Sequence, residues 1–152
     1  MTGGMRLAPS LPRTLLAVLA VEIGLRRSQL ERTARLLGVP LQLEPASPHE
    51  RAGAVPEAEL ARAARLAGAA VRRMPVPDSC LRRSLVAGHL LRRHHPSLRL
   101  GATDGPGPHR GHAWIELPSG QTLGARDGVR PFSRGTRSTR GTFDIPDSRE
   151  PG

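Results

Sequence analysis

Apolar residues recur at helical spacing along the N-terminal part of the chain and alternate with polar ones after it. From Pro12, suited to a first helical turn, Leu15, Leu16, Val18, Leu19, Glu22, Ile23 and Arg26 follow at the intervals of a helix. Ser28 and Glu31 make an S-x-x-E capping box, which predicts a second, short helix through Leu30, Ala34 and Leu37. Gly38 is placed to end it. Pro40, Pro45 and Pro48 mark residues 39–55 as a connecting loop. A third helix is predicted from near Pro56. Its small-residue face of Leu60, Ala63, Ala64, Ala67, Ala70 and Val71 suits close packing, and it ends before Pro75 and Pro77. Asp78 or Ser79 then caps a fourth helix. Leu81, Leu85, Val86, His89 and Leu90 form its apolar face, with Arg82, Arg83, Arg92 and Arg93 outside, and it ends before Pro96.

At Leu98 the period changes to two. Residues 98–102 and 112–117 read as strands, residues 104–107 as a turn, and Pro118-Ser119-Gly120 as a hairpin turn leading to a third strand at Gln121-Thr122-Leu123. Beyond Asp127 the chain is rich in Arg, Gly, Ser and Thr without apolar periodicity, so the C-terminal end is expected to be disordered. Helices followed by a small antiparallel sheet make an α+β domain. The expected organisation is a flexible start over 1–11, one domain over 12–132 (helical part 12–95, sheet part 97–132) and a disordered tail over 133–152.

Composition narrows the function classes. A chain of 152 residues has room for one domain with a modest core. With 2% aromatics, that core must come from Leu, Val, Ala and a few Ile. The formal charge is +10, and all 23 basic residues are Arg. Nucleic-acid binders usually mix Arg with Lys, and an all-Arg, Ala-rich and Pro-rich chain can reflect coding bias. The charge still predicts attraction to an acidic partner or peptide. Residues 13–38 resemble a helix-turn-helix, but the would-be recognition helix offers only Gln29, Arg32 and Arg35. Basic helical faces are commonly just solvated. Nucleic-acid binding is therefore the weakest alternative, and no nucleic-acid partner is expected. The apolar stretch from Leu15 to Leu25 is shorter than a membrane span, and Glu22 within it argues against a signal peptide. No membrane association is expected, and the expected location is the cytoplasm.

Cys80 is the only cysteine, which excludes an intrachain disulfide and a cysteine-based metal site. It stands at the start of the fourth helix. The thiolate is the reactive form of cysteine, and helix-start N–H groups and a nearby imidazolium favour it. A lone cysteine is by itself more often a small buried hydrophobe. His112 on the following strand changes that balance, because a cysteine nucleophile needs a base, and the base needs a group to orient it. On a strand, His112, Trp114 and Glu116 share one face, with Ala113 and Ile115 on the other. Trp114 reads as a core anchor and Glu116 as a solvated residue. Three carboxylates are candidates to orient His112. Asp127 reaches back if the third strand pairs in register, Asp104 lies in the preceding turn, and Asp78 is better placed as a cap; Asp127 is preferred. His109 is a rival base in a Gly/Pro loop. His89 reads as a core-edge residue. His94 and His95 suit a helix end, and with no acidic or cysteine partner evident nearby they are not expected to bind metal.

The run Cys80-Leu81-Arg82-Arg83-Ser84-Leu85, then Gly88-His89-Leu90-Leu91-Arg92-Arg93, Leu98 to Gly101, and His112-Ala113-Trp114-Ile115-Glu116 resembles the leader peptidases of lasso peptide biosynthesis. These are transglutaminase-like (papain-like) cysteine proteases. Ala20-Val21-Glu22 through Leu36-Leu37-Gly38-Val39-Pro40 is similar to the helical lead-in of that family, and the resemblance covers about residues 12–132. It implies a cysteine peptidase that removes the leader from a ribosomally made precursor before macrolactam cyclisation. It also implies Cys80 as nucleophile, His112 as base and no cofactor or metal. The family's third member is an Asp whose place falls near Gly124 here, so Asp127 substitutes for it or the site is a dyad. The implied partners are the precursor peptide, a separate leader-recognition protein and a lasso cyclase. The absent acid keeps open a non-proteolytic acyltransferase or adaptor.

Overall fold

The computed structural model describes residues 10–44, 53–103 and 111–132. The elements are α1 (Leu11–Arg27), α2 (Leu30–Leu36), α3 (Glu57–Arg73), α4 (Cys80–Leu90), a 3₁₀ turn (Arg92–His94), β1 (Ser97–Thr103), β2 (Gly111–Glu116), β3 (Thr122–Leu123) and β4 (Val129–Pro131). The four strands form one antiparallel sheet in the order β3-β2-β1-β4. Helices first, sheet second is the α+β order expected. The expected tail over 133–152, Asp104 and His109 lie outside the described residues.

α4 is the centre of the packing: α1 and α3 lie against it, and its far side rests on β2. Leu85 and Val86 of α4, Val71 of α3, Val18 and Val21 of α1, Leu98 of β1 and Ile115 of β2 form the buried cluster. Small residues allow the close approach. A Cβ on Gly88 would lie 2.7 Å from Val39 Cγ1 and 2.9 Å from Ile115 Cδ1.

Several local expectations are corrected. Ser28 does not cap α2, whose N-cap is Gln29. Its hydroxyl instead donates to Gly24 O at 2.8 Å and meets Thr33 Oγ1 at 2.8 Å, fastening the end of α1 to α2. Its assigned partner Glu31 pairs with Arg35 one turn on. Gly38 does end α2, as expected: Val39 N–H bonds Ala34 O and Gly38 N–H bonds Arg35 O. The buried face of α1 is Thr14, Ala17, Val18, Val21 and Glu22, which leaves Leu16, Leu19 and Ile23 exposed. β4 has no periodic signal; it pairs with β1 from Gly101 to Thr103. Glu116 is not simply solvated. It faces the buried Arg99 at 3.0 Å, and Arg99 also donates to the carbonyls of Gln42 and Glu44, holding that segment beside β1.

Candidate active site

The start of α4 carries the nucleophile candidate. Ser79 is extended, and its Oγ accepts from the Arg82 N–H at 3.3 Å, so the helix opens at Cys80. The N–H groups of Cys80 and Leu81, the first two helical residues, have no partner within the helix. Of the two cap candidates Ser79 is the cap. Asp78 binds Arg83, whose Nε lies 2.6 Å from Asp78 Oδ1. The hydrogen bond from Arg83 holds the Asp78 carboxyl below its ordinary range. The same contact raises Arg83.

Arg82, expected outside, turns inward. Its Nε donates to Glu22 Oε2 at 2.9 Å, and Arg26 donates to Glu22 Oε1 at 2.8 Å. Glu22 is thus the one acidic residue on the buried face of α1 because it anchors the turn that carries Cys80. The hydrogen bonds, that of Arg82 first, lower the Glu22 pKa. A carboxyl whose folded value is depressed stabilises the fold above its unfolded value, and that contribution is lost as pH falls through the folded one. Glu22→Gln is therefore expected to lower the melting temperature at neutral pH. The gap to wild type should shrink below the ordinary glutamate value of about 4.3. Thermal melts of both proteins across that range check this.

His112 sits on β2 opposite Gly101 of β1, 9% exposed. As the alternation predicts, its ring shares a face with Trp114. The two stack with centroids 6.1 Å apart and planes 17° apart. His112 Nε2 lies 2.7 Å from Gly124 O. A carbonyl oxygen only accepts, so Nε2 carries the hydrogen, and the neutral ring keeps its lone pair on Nδ1. Gly124 follows β3 with φ of +85°, a conformation open to glycine and strained for other residues. Ser84, one turn after Cys80, donates to Ala113 O at 3.0 Å. This buried bond fixes α4 against the strand that holds His112.

Cys80 and His112 line one open cleft of about 540 Å³, with Ser84, Gly124 and Arg126 among the other lining residues. Asp127 is exposed and outside that lining. The structure therefore brings Cys80 and His112 together and leaves Asp127 apart. The oxygen that meets the ring is the backbone carbonyl of Gly124. Sequence reasoning singled out Cys80 and His112 but missed Ser84, Gly124 and Arg126 as site residues. The signal for Ser84 was its spacing of one helical turn from Cys80; a backbone carbonyl has no side-chain signature.

Among the described residues, the other histidines are His89, His94 and His95, and none of them lines the cleft. His89 Nδ1 lies 3.0 Å from Leu37 O, tying α4 to the end of α2. His94 does have an acidic partner, contrary to expectation: Glu59 of α3, 2.9 Å from its Nε2. That residue lies far off in sequence, and only the packing of α3 beside the 3₁₀ turn brings it close. Among the described residues no group of three or more His, Cys, Asp or Glu converges as metal ligands. Among them, too, no helix is long and apolar enough to cross a membrane.

Comparison with curated proteins and with solved structures gives no match. A family model described as the Transglutaminase-like superfamily matches residues 15–135, which takes in the cleft, α1 from its second turn and every element from α2 to β4. The chain belongs to the Transglutaminase-like superfamily.

Proposed function

We propose that the protein is a cysteine peptidase that removes the leader from a lasso peptide precursor. The observation that carries the reading is the pairing of a helix-start cysteine with a strand histidine, polarised by a carbonyl, in one open cleft. Membership of a superfamily that includes cysteine proteases supports it. The C-L-R-R-S-L and H-A-W-x-E motifs, in this order, support the leader-peptidase assignment.

In this mechanism His112 Nδ1 takes the Cys80 proton, and the thiolate attacks the last carbonyl of the leader. The N–H groups of Cys80 and Leu81 stabilise the oxyanion. His112 then gives its proton to the leaving amine, the N-terminus of the core peptide. Water, deprotonated by His112, hydrolyses the thioester and frees the thiol. No metal or organic cofactor is used. A separate leader-recognition protein presents the precursor, and a lasso cyclase takes the product.

The test is a mass measurement on precursor peptide incubated with this protein and the leader-recognition protein. The expected products are leader and core whose masses sum to the precursor plus one water. Transfer of the leader to an added amine without uptake of water would instead support an acyltransferase. The absence of any reaction that depends on Cys80 overturns both.

A further inference from the structure

A second groove of about 390 Å³ lies beside the cleft. Its apolar lining is Ala64, Ala67 and Gly68 of α3, Ala87 of α4 and Leu123 of β3. It shares Arg83, Ser84 and Gly124 with the cleft, so the two are continuous across the residues that flank Cys80 and His112. Arg65 and Arg72 stand on its rim, both exposed. Neither has a hydrogen bond or ion pair to another described residue, although the charge of Arg72 acts on Asp78, which is hydrogen-bonded to Arg83. A Cβ on Gly68 would lie 3.1 Å from Arg72 Nη1, so the absence of a side chain there lets the guanidinium extend over the floor.

We propose that this groove is a specificity subsite that takes an aliphatic side chain of the substrate peptide, with Arg65 and Arg72 binding an acidic side chain two residues from it. The proposal rests on the peptidase reading and names the substrate class for it. Apart from the arginines, the one polar side chain of the lining is Ser84, whose hydroxyl is committed to Ala113 O. A polar side chain would lose water there without compensation, while an aliphatic one gains by burial. Carboxylate is the natural partner of two guanidinium groups that have no hydrogen bond to another described residue, and they grip it through paired N–H bonds. An extended peptide lying in the cleft carries alternate side chains to opposite sides, so the side chain two residues from the one in the groove faces the same side and reaches the two arginines.

Binding can be read without catalysis. Titrate acetyl-Gly-Leu-Gly-Glu-Gly-amide into isotopically labelled protein, beside one analogue with Gln for Glu and another with Gly for Leu, following backbone amides by NMR. The Leu/Glu peptide is expected to bind at least about tenfold more tightly than either analogue. It should shift the amides of Gly68, Ala87 and Leu123. Ala64→Phe, at an exposed position, fills the groove and should abolish these shifts. Arg65→Ala combined with Arg72→Ala should erase the preference for Glu over Gln. Melting curves confirm that the variants are folded. Equal binding of the Leu-free acidic peptide means diffuse attraction to a basic chain and overturns the proposal. So do shifts confined to other surfaces, or a preference that survives both variants. Cys80→Ala is expected to bind the peptide like wild type. Binding without Cys80-dependent cleavage would sink the peptidase reading alone. Cleavage indifferent to Ala64→Phe would sink the subsite alone.

Discussion

Cys80→Ala is expected to abolish precursor cleavage and His112→Ala to lower kcat by about a thousandfold or more, while Asp127→Ala stays within about threefold of wild type. The first two follow from the shared cleft. The third follows from the hydrogen bond at His112: Nε2 is already held at 2.7 Å by Gly124 O, and Asp127 is exposed outside the cleft. A carbonyl can fix the tautomer and the ring plane as a carboxylate does. It brings only a partial charge to the imidazolium, so its contribution is mainly orientation. Gly124→Ala is accordingly expected to lower kcat more than Asp127→Ala. An alanine at φ of +85° is strained, and relief of that strain turns the carbonyl away from the ring. Steady-state kinetics on the precursor, read by chromatography, check the series. A loss in Asp127→Ala as large as in His112→Ala would show that the carboxylate completes a triad after rearrangement of the turn.

Gly88→Ala is expected to destabilise the fold by about 1–3 kcal/mol, the usual cost of a methyl forced into a packed core. In an exposed helix the same change would be favourable by about 1 kcal/mol. Here the added methyl meets Val39 from one side and Ile115 from the other, both fully buried. Neither can withdraw without moving its own backbone. The matching result is rescue: Val39→Ala alone leaves a void and destabilises, but in the presence of Gly88→Ala it removes the clash, so the double variant should be more stable than the sum of the singles predicts. Urea denaturation of the four proteins measures the coupling. Simple additivity would mean that α4 shifts as a body, which would also move Cys80 and show as lost cleavage.

The helices were legible because each carries its own punctuation. Pro12, Pro56 and Ser79 open α1, α3 and α4, and Gly38 closes α2. β1 and β2 were legible from their alternation, and the shared face of His112 and Trp114 followed from it. The misreadings share one cause. Ser28 matched a local capping pattern, yet Gly24 and Thr33 offered its hydroxyl better partners once α1 and α2 met. Arg82 looked solvated beside Arg83, and Glu59 was invisible from His94. In both cases the deciding partner lies on another helix, and local spacing carries no information about it. β4 has too few apolar residues to be periodic, and it exists because β1 presents an unpaired edge.

By itself, the sequence determined the order of the four helices and the first three strands, the helix start at Cys80, the strand that carries His112 and the face on which His112 lies. These depend on caps, periods and breakers within a few residues of each position. Tertiary structure alone decided what faces His112. A hydrogen bond between β2 and the chain after β3 depends on register and on one backbone carbonyl. Every residue carries such a carbonyl, so composition does not mark it out. The same holds for Glu22 and Arg82, whose pairing across α1 and α4 turns an acidic interruption in an apolar helix into the anchor of the turn that carries Cys80.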